Sequence, residues 1–302
     1  MNRSKKAPLP FRGVATALIT PFRNNEVDIE AFLQQIDRQL AAGVDALVVT
    51  GTTGEAVTLD EGEKSALLEA AVERAGGRLP ILAGTGSQST KTARAAAKTA
   101  KEIGADALLV VTPYYNKGTK EGIITHYLEI AEETDLPLIL YNVPSRTGVN
   151  LSLEQLAVLC EHPNIVGIKE ASGDIDRGAD IFAAFGEKLA LYSGNDSQLL
   201  PILSLGGVGV ISVLSNLFPS AAVRLCRLFT EGSVREAALL QKRLLPLTRL
   251  LFAETNPAPL KCAMAQLSLD SGELRLPLAP VPPPLATRIE EALRALPASL
   301  LP

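Results

Sequence analysis

Short apolar runs that alternate with amphipathic helical stretches constrain the fold of this chain more than any other feature. The runs are rich in Val, Ile and Leu and lack the polar–apolar alternation of half-exposed strands. This pattern is typical of parallel strands that are buried on both faces. The runs cover residues 14–19, 46–49, 81–83, 107–111, 138–141, 165–168, 191–193 and 208–213.

Helix-boundary signals stand between these runs. Residues that commonly begin helices occur before the amphipathic stretches, and glycine closes several of them. The candidate N-caps are Asp28, Asp60, Ser89 and Ser152. Eight strands that alternate with helices predict an α/β protein with a closed (β/α)₈ TIM barrel. A doubly wound open sheet is the alternative, but eight repeats favour closure.

The last part of the 302-residue chain has a different pattern, because the strand-like runs end near residue 213. Helical stretches begin at Ser233, Asn256 and Arg288, and a Pro-rich connector begins at Pro277. We therefore predict a barrel over residues 1–230 that carries the active site. A helical C-terminal extension is predicted over residues 231–302.

Composition limits the chemistry that this barrel can perform. Lys plus Arg is 29 and Asp plus Glu is 33, a balance that argues against a nucleic-acid or membrane surface. Only two histidines occur, which excludes a His-rich metal centre, and neither His126 nor His162 follows a strand. We expect both histidines at the surface or at helix caps. Three widely spaced cysteines and no long apolar segment predict a cytoplasmic protein with reduced thiols.

Lys169 is the most informative residue at a strand end. With a repeat of two, Ile165, Gly167 and Lys169 share one face, and Val166 and Ile168 share the other. The apolar pair suits the face under the helices, so we expect Lys169 to point into the barrel. Burial disfavours the charged form of an amine, and a neutral amine can form a Schiff base with a carbonyl compound. A structural ion pair with a carboxylate is the alternative.

Other strand ends supply hydroxyl groups and turns. Tyr115 and Tyr141 are candidate proton carriers, although packing at the barrel rim would also explain them. The GTTGE stretch from Gly51 combines hydroxyls with a turn whose N–H groups can bind a small anion. The GGVGV stretch from Gly206 is interpreted as close backbone packing, because no Lys or Arg lies nearby in the sequence.

Motifs along nearly the whole chain resemble the dihydrodipicolinate synthase and N-acetylneuraminate lyase family of pyruvate-handling, class I aldolase barrels. In order, these motifs are GTTGEAVTL, TPYYNK, YNVPSRTG, GIKEASGD and YSGND. The resemblance implies that Lys169 forms a Schiff base with pyruvate and that no cofactor or metal is needed. It further implies that Tyr141 donates and accepts protons, and that Thr52 and Tyr115 complete a proton relay.

The resemblance also implies binding roles for matching positions. Thr53 would hold the pyruvate carboxylate, Ile211 would lie against pyruvate, and Gly194 would lie in the loop beside the site. Arg146 would bind the carboxylate of a second substrate, L-aspartate 4-semialdehyde. N-Acetylneuraminate lyases and 2-keto-3-deoxy sugar acid aldolases remain alternatives, although sialate lyases and sugar-acid aldolases typically lack this arginine. A barrel that binds a phosphorylated ligand, or an inactive binding protein, is disfavoured by the joint presence of these residues.

Assembly and regulation are likewise implied by the resemblance. The position of Tyr115 reaches a neighbouring subunit's site in the family, which implies a homo-oligomer, usually a dimer of dimers. Lysine-inhibited members have histidines where this chain has Glu61 and Lys64. They have Asn and Glu where it has Gln88 and Thr92. We expect weak or absent inhibition by L-lysine.

Overall fold

A closed parallel barrel forms the centre of the computed structural model, which describes residues 6–297 and residue 300. The ends of the two predicted segments, at residues 1–5, 298–299 and 301–302, lie outside the described residues. The strands are β1 (Gly13–Ala17), β2 (Phe22–Arg23), β3 (Glu26–Val27), β4 (Ala46–Val49), β5 (Ile81–Gly84), β6 (Ala107–Val111), β7 (Leu138–Asn142), β8 (Ile165–Glu170), β9 (Ala190–Ser193) and β10 (Gly209–Ser212).

The barrel contains β1 and β4 to β10 in chain order, and β1 pairs in parallel with both β4 and β10. This closure confirms the (β/α)₈ barrel and rules out the open sheet. Strands β2 and β3 form a small antiparallel pair outside the barrel that the sequence analysis did not predict.

Helices follow the barrel strands and continue into the extension. They are α1 (Ile29–Ala42), α2 (Glu61–Ala75), α3 (Thr90–Ile103), α4 (Lys120–Glu133), α5 (Pro144–Thr147), α6 (Leu153–Leu159), α7 (Ile175–Phe185), α8 (Leu199–Ser204), α9 (Pro219–Thr230), α10 (Val234–Leu250), α11 (Ala258–Gln266) and α12 (Pro283–Arg294). Helix α12 begins five residues before the predicted Arg288, because Pro is favourable in a first helical turn. No helix among residues 6–297 is long and apolar enough to cross a membrane.

The four predicted N-caps are confirmed. The side chains of Asp28, Asp60, Ser89 and Ser152 accept hydrogen bonds from backbone N–H groups in the first turns of α1, α2, α3 and α6. These bonds satisfy donors that a helix start leaves without intrahelical partners. Helix α1 ends at Gly43 with a φ of 71°, a left-handed conformation that glycine adopts without steric cost.

Close backbone packing explains the GGVGV stretch. A Cβ atom at Gly209 would lie 1.9 Å from the carbonyl oxygen of Gly13 on the neighbouring strand β1. Any side chain there would push β10 away from β1 and open the barrel. The interpretation of this stretch as a packing feature is confirmed.

The expected alternation along β8 is wrong in part. Register shifts between β7 and β8, because Leu138 pairs with Ile165 while Ile139 pairs with Gly167. The extra residue is a β-bulge, which interrupts a repeat of two. Val166 therefore packs with the barrel interior while Ile168 packs under the helices, instead of both facing outward. The alternation resumes after the bulge, and Lys169 points inward as expected.

The expectation that both histidines are surface or cap residues is wrong for His126. This residue lies on α4 with 3% of its side chain exposed, and its Nδ1 lies 2.9 Å from the Thr90 hydroxyl. Burial lowers the pKa of His126 to about 4, because the charged imidazolium loses its hydration inside the protein. His162 is half-buried, and its Nδ1 accepts a hydrogen bond from the Asn164 N–H.

Buried His126 makes stability depend on pH. The unfolded chain binds the histidine proton near pH 6.5 and the folded chain only near pH 4, so stability falls as pH decreases between these values. We expect His126→Gln to remove a pH-dependent loss of about 1.6 kcal/mol between pH 6.5 and pH 5. Urea unfolding at both pH values measures this loss. An equal loss in the variant and the unmodified chain would contradict the assignment. His162→Gln is the comparison, at a half-buried histidine whose pKa burial also lowers, and it should remove a smaller part of the loss.

Candidate active site

A cavity of about 460 Å³ opens at the carboxyl ends of the barrel strands, where TIM barrels carry their active sites. Five of the predicted site residues line this cavity: Thr53, Tyr141, Arg146, Lys169 and Gly194. They come from different strands and loops and are brought together only by closure of the barrel.

Lys169 lies at the end of β8 beside Tyr141, its paired residue on β7. Its side chain is only 5% exposed, and its Nζ lies 4.2 Å from the centre of the Tyr141 ring. None of the ion pairs within 4.0 Å that the described residues form includes Lys169, so the alternative of a structural ion pair is not supported. A buried amine at a cavity wall, next to a phenol, can attack a carbonyl and exchange protons.

Asp196 is the buried carboxylate whose charge interacts with Lys169. Its oxygens accept hydrogen bonds from the Ser212 hydroxyl and from the N–H groups of Val213 and Leu214. Burial raises the pKa of Asp196, while these hydrogen bonds and the charge of Lys169 oppose the increase. Through these hydrogen bonds Asp196 fixes the loop after β10.

The GTTGE turn after β4 presents its two threonines to different spaces. Thr53 is 3% exposed at the wall of the first cavity, and its Oγ1 accepts a hydrogen bond of 3.0 Å from Asn256 Nδ2. Thr52 borders a second cavity of about 490 Å³, which also reaches Tyr141 and Tyr114. The turn therefore lies between the two cavities, with Tyr141 common to both.

Arg146 lies on the short helix α5, at the rim of both cavities. Its Nη2 donates a hydrogen bond of 2.9 Å to the carbonyl oxygen of Asn256. The guanidinium retains further N–H donors in a planar arrangement, which suits a carboxylate ligand. The rim position allows a ligand carboxylate to bind at a distance from Lys169.

Two predicted site residues line neither cavity. Tyr115 is 93% exposed and has a left-handed φ of 70°. Ile211 is fully buried in the barrel interior, where it packs among the inward-facing residues, and Val213 lines the cavity in its place. The roles of both residues remain predictions.

The C-terminal extension supplies a part of the site that the sequence analysis missed. Residues 252–256, between α10 and α11, line the first cavity opposite the barrel strands. Asn256 contacts both Thr53 and Arg146, and α11 places Lys261 against Glu55 at an Nζ–Oε1 distance of 2.6 Å. Both side chains of this pair are fully buried. The extension is thus integral to the mouth of the barrel.

Comparisons with known proteins identify the family. A model of the dihydrodipicolinate synthetase family matches residues 10–296. The chain belongs to this family. The resemblance inferred from the motifs is therefore confirmed, and the match includes both the barrel and most of the extension.

Curated and solved members of the dihydrodipicolinate synthetase family align with almost the whole chain. The 4-hydroxy-tetrahydrodipicolinate synthase of Syntrophobacter fumaroxidans is 46% identical over 286 residues, which is 94% of this chain and 98% of that protein. The structure of the corresponding enzyme from Methylacidiphilum fumariolicum has 43% identity and a TM-score of 0.92, and the match covers 94% and 95% of the chains. The Acinetobacter baumannii dihydrodipicolinate synthase, solved in complex with pyruvate, has 40% identity and a TM-score of 0.92, with coverage of 96% and 99%.

Proposed function

We propose that this chain is a 4-hydroxy-tetrahydrodipicolinate synthase that condenses pyruvate with L-aspartate 4-semialdehyde. The observation that carries the proposal is the buried amine of Lys169, which lies at the cavity wall against the ring of Tyr141. The names of the curated relatives and the pyruvate complex of the A. baumannii relative support the choice of substrates.

The reaction begins when the amine nitrogen of Lys169 attacks the ketone carbon of pyruvate. Loss of water gives an imine, and removal of a proton from the pyruvate methyl group gives an enamine. The enamine carbon attacks the aldehyde carbon of the second substrate, whose oxygen takes up a proton. The amino group of that substrate then attacks the imine carbon, which closes the ring and releases the amine of Lys169.

Protons for these steps are assigned to the Tyr141 phenol, relayed through Thr52 and Tyr115. Tyr141 borders both cavities and lies against the nucleophile, so it can reach the imine carbon's substituents. Every step uses the substrates and the groups of the chain itself, so the proposal requires no metal and no organic cofactor.

The unpaired thiols of Cys160, Cys226 and Cys262 support the proposal of a cytoplasmic location.

Arg146 favours an acceptor that carries a carboxylate. At the rim it can form two parallel hydrogen bonds with a planar carboxylate, an arrangement that a polyol chain cannot reproduce. We therefore prefer aspartate semialdehyde to the open-chain sugars that sialate lyases and keto-deoxy sugar acid aldolases handle.

The proposal is tested by trapping the imine. The protein is incubated with pyruvate and borohydride, and the adduct is located by peptide mass spectrometry; aspartate semialdehyde or a sialic acid is then supplied to unreduced protein. We expect a reduced adduct on Lys169 and turnover with the semialdehyde only. Absence of an adduct would overturn the Schiff-base mechanism, and turnover of the sugar acid alone would overturn the choice of acceptor.

Tyr115→Phe is expected to retain the adduct and to lose most turnover, about 10²-fold, because the phenol supplies a proton and does not bind pyruvate. We propose that Tyr115 serves a neighbouring subunit, since it is exposed and outside its own cavity. Co-refolding of equal amounts of Tyr115→Phe and Lys169→Ala subunits should then regain about a quarter of unmodified turnover, from one intact site in each mixed dimer. No regain would contradict a shared site, and full activity of Tyr115→Phe would remove this residue from the relay.

L-Lysine is expected to inhibit weakly or not at all. Glu61 and Lys64 form an ion pair of 2.8 Å at the second cavity, which Gln88 and Thr92 also line. The ammonium of Lys64 would repel the ammonium of a bound lysine, while neutral Gln88 and Thr92 offer it no charge. A coupled assay with L-lysine from 0.01 to 10 mM, run beside Lys64→Met, measures this property. Half-maximal inhibition below 1 mM would contradict the expectation.

A further inference from the structure

We propose that Asn256 of the C-terminal extension is a positioning residue that orients the Thr53 hydroxyl toward the carboxylate of bound pyruvate. This inference rests on the proposed function, in which Thr53 holds that carboxylate. It adds a residue from outside the predicted barrel segment to the construction of the site.

The direction of one hydrogen bond carries the argument. Asn256 Nδ2 donates to Thr53 Oγ1 at 3.0 Å, and the two side chains are 5% and 3% exposed. A hydroxyl group has one hydrogen and can accept while it donates. Because the amide occupies the accepting side, the Thr53 hydrogen stays available to a ligand in the cavity, and a hydrogen bond to a charged carboxylate is stronger than one to a neutral group.

The backbone of Asn256 contacts the other substrate-binding residue. Its carbonyl oxygen accepts the 2.9 Å hydrogen bond from Arg146 Nη2. One residue therefore contacts the group assigned to the pyruvate carboxylate and the group assigned to the second carboxylate. The fully buried Glu55–Lys261 pair joins the same turn to α11, so the turn is held on both sides of Gly54 by the extension.

The remaining atom of the amide indicates that Asn256 is not merely structural. Asn256 Oδ1 is buried and has no hydrogen-bond partner among the described residues. A buried acceptor without a partner costs free energy, so an amide that served stability alone would be replaced more favourably by an apolar side chain. Both Asn256 and Thr53 line the cavity, which places this cost at the site where it supports binding.

Two variants separate the donor from the bulk of the side chain. Asn256→Ala removes the amide, whereas Asn256→Asp keeps its shape but accepts where the amide donates. The ionised carboxylate takes the hydrogen of Thr53 and also repels the ligand. Each variant is made alone and with Thr53→Val, and Gln266→Ala, an exposed amide of α11, is the matched control.

The readout is the pyruvate concentration that gives half-maximal borohydride-trapped adduct on Lys169. This measurement needs no second substrate. The KM for pyruvate and kcat are measured in parallel by turnover. We expect Asn256→Ala to raise this concentration about 5- to 10-fold and Asn256→Asp to raise it at least about 10-fold further. kcat at saturating pyruvate should change less than about threefold. With Thr53→Val in place, Asn256→Ala should change the value less than about twofold.

Several results would overturn the inference. Equal effects of Asn256→Ala with and without the Thr53 hydroxyl would show that Asn256 does not act through it. If Asn256→Asp needs no more pyruvate for half-maximal adduct than Asn256→Ala, the amide does not donate to Thr53. Circular dichroism and the melting temperature verify folding, and the isosteric Asn256→Asp carries the test if Asn256→Ala does not fold. An unmodified chain without any adduct would instead overturn the proposed function, and this inference with it.

Discussion

Lys169→Ala is expected to abolish the borohydride-trapped pyruvate adduct and to lower kcat by about 10³-fold or more. The covalent intermediate needs a nucleophilic amine at the cavity wall, and alanine provides none. Tyr141 and the two substrate-binding residues remain in place, so this loss measures covalent catalysis separately from substrate binding. Peptide mass spectrometry and a coupled turnover assay measure the two quantities.

The variant should also fold. Lys169 has no carboxylate partner within 4.0 Å among the described ion pairs, and the buried Asp196 carboxylate, with whose charge it interacts, keeps its hydrogen bonds to Ser212, Val213 and Leu214. Lys242→Ala on the exposed face of α10 is the control and should behave as the unmodified chain. An adduct that persists in Lys169→Ala and maps to another lysine would contradict the assignment. Lys261 is a second buried amine to map, because burial lowers its pKa.

The fold was predictable because it depends on local patterns. Buried parallel strands produce continuous apolar runs, and the N-caps produce Asp or Ser before a helix, so both can be read over a few residues. Lys169 was predictable for a related reason, since a charged residue at the end of an apolar strand stands out. The β8 bulge was not predictable, because it depends on how β7 and β8 pair and leaves no mark in the β8 sequence.

The rest of the candidate site depends on contacts between distant residues. Thr53 and Asn256 are separated by 203 positions, and Arg146 is 110 positions from the carbonyl that it contacts. Neither contact follows from a spacing or a periodicity, so the extension was predicted as helices without a place in the site. His126 shows the same limit, because the face of α4 that is buried against α3 depends on tertiary packing.

The buried Glu55–Lys261 pair allows a direct measurement of how strongly the extension stabilises the barrel. Both side chains are fully buried and the pair lies 2.6 Å apart. Lys261 Nζ also donates to the Glu273 carbonyl oxygen and lies 4.2 Å from the centre of the Phe22 ring. Breaking a buried pair by removing one partner costs about 3–5 kcal/mol, because the other charge stays in a low-dielectric interior.

Lys261→Met is therefore expected to lower the melting temperature by about 5–8 °C, given an unfolding entropy of about 2.1 cal/mol/K per residue. The double variant Glu55→Gln/Lys261→Met should regain at least about half of this loss, since it removes both charges of the pair. Arg294→Met, which breaks an exposed pair with Glu290, is the control and should cost less than about 1 kcal/mol. Calorimetry of the four proteins, each with and without saturating pyruvate, measures these differences.

Lys261→Met also tests whether the Glu55–Lys261 pair, besides stabilising the fold, positions the turn that binds pyruvate. If Glu55–Lys261 holds the GTTGE turn in place, Lys261→Met should weaken pyruvate binding as well as folding, because Thr53 belongs to that turn. Pyruvate should then raise the melting temperature of Lys261→Met less than that of the unmodified chain. An equal increase in both proteins would show that the ion pair supports the extension without positioning Thr53. If Lys261→Met melts no lower than Arg294→Met, the buried Glu55–Lys261 pair contributes no more to stability than an exposed pair does.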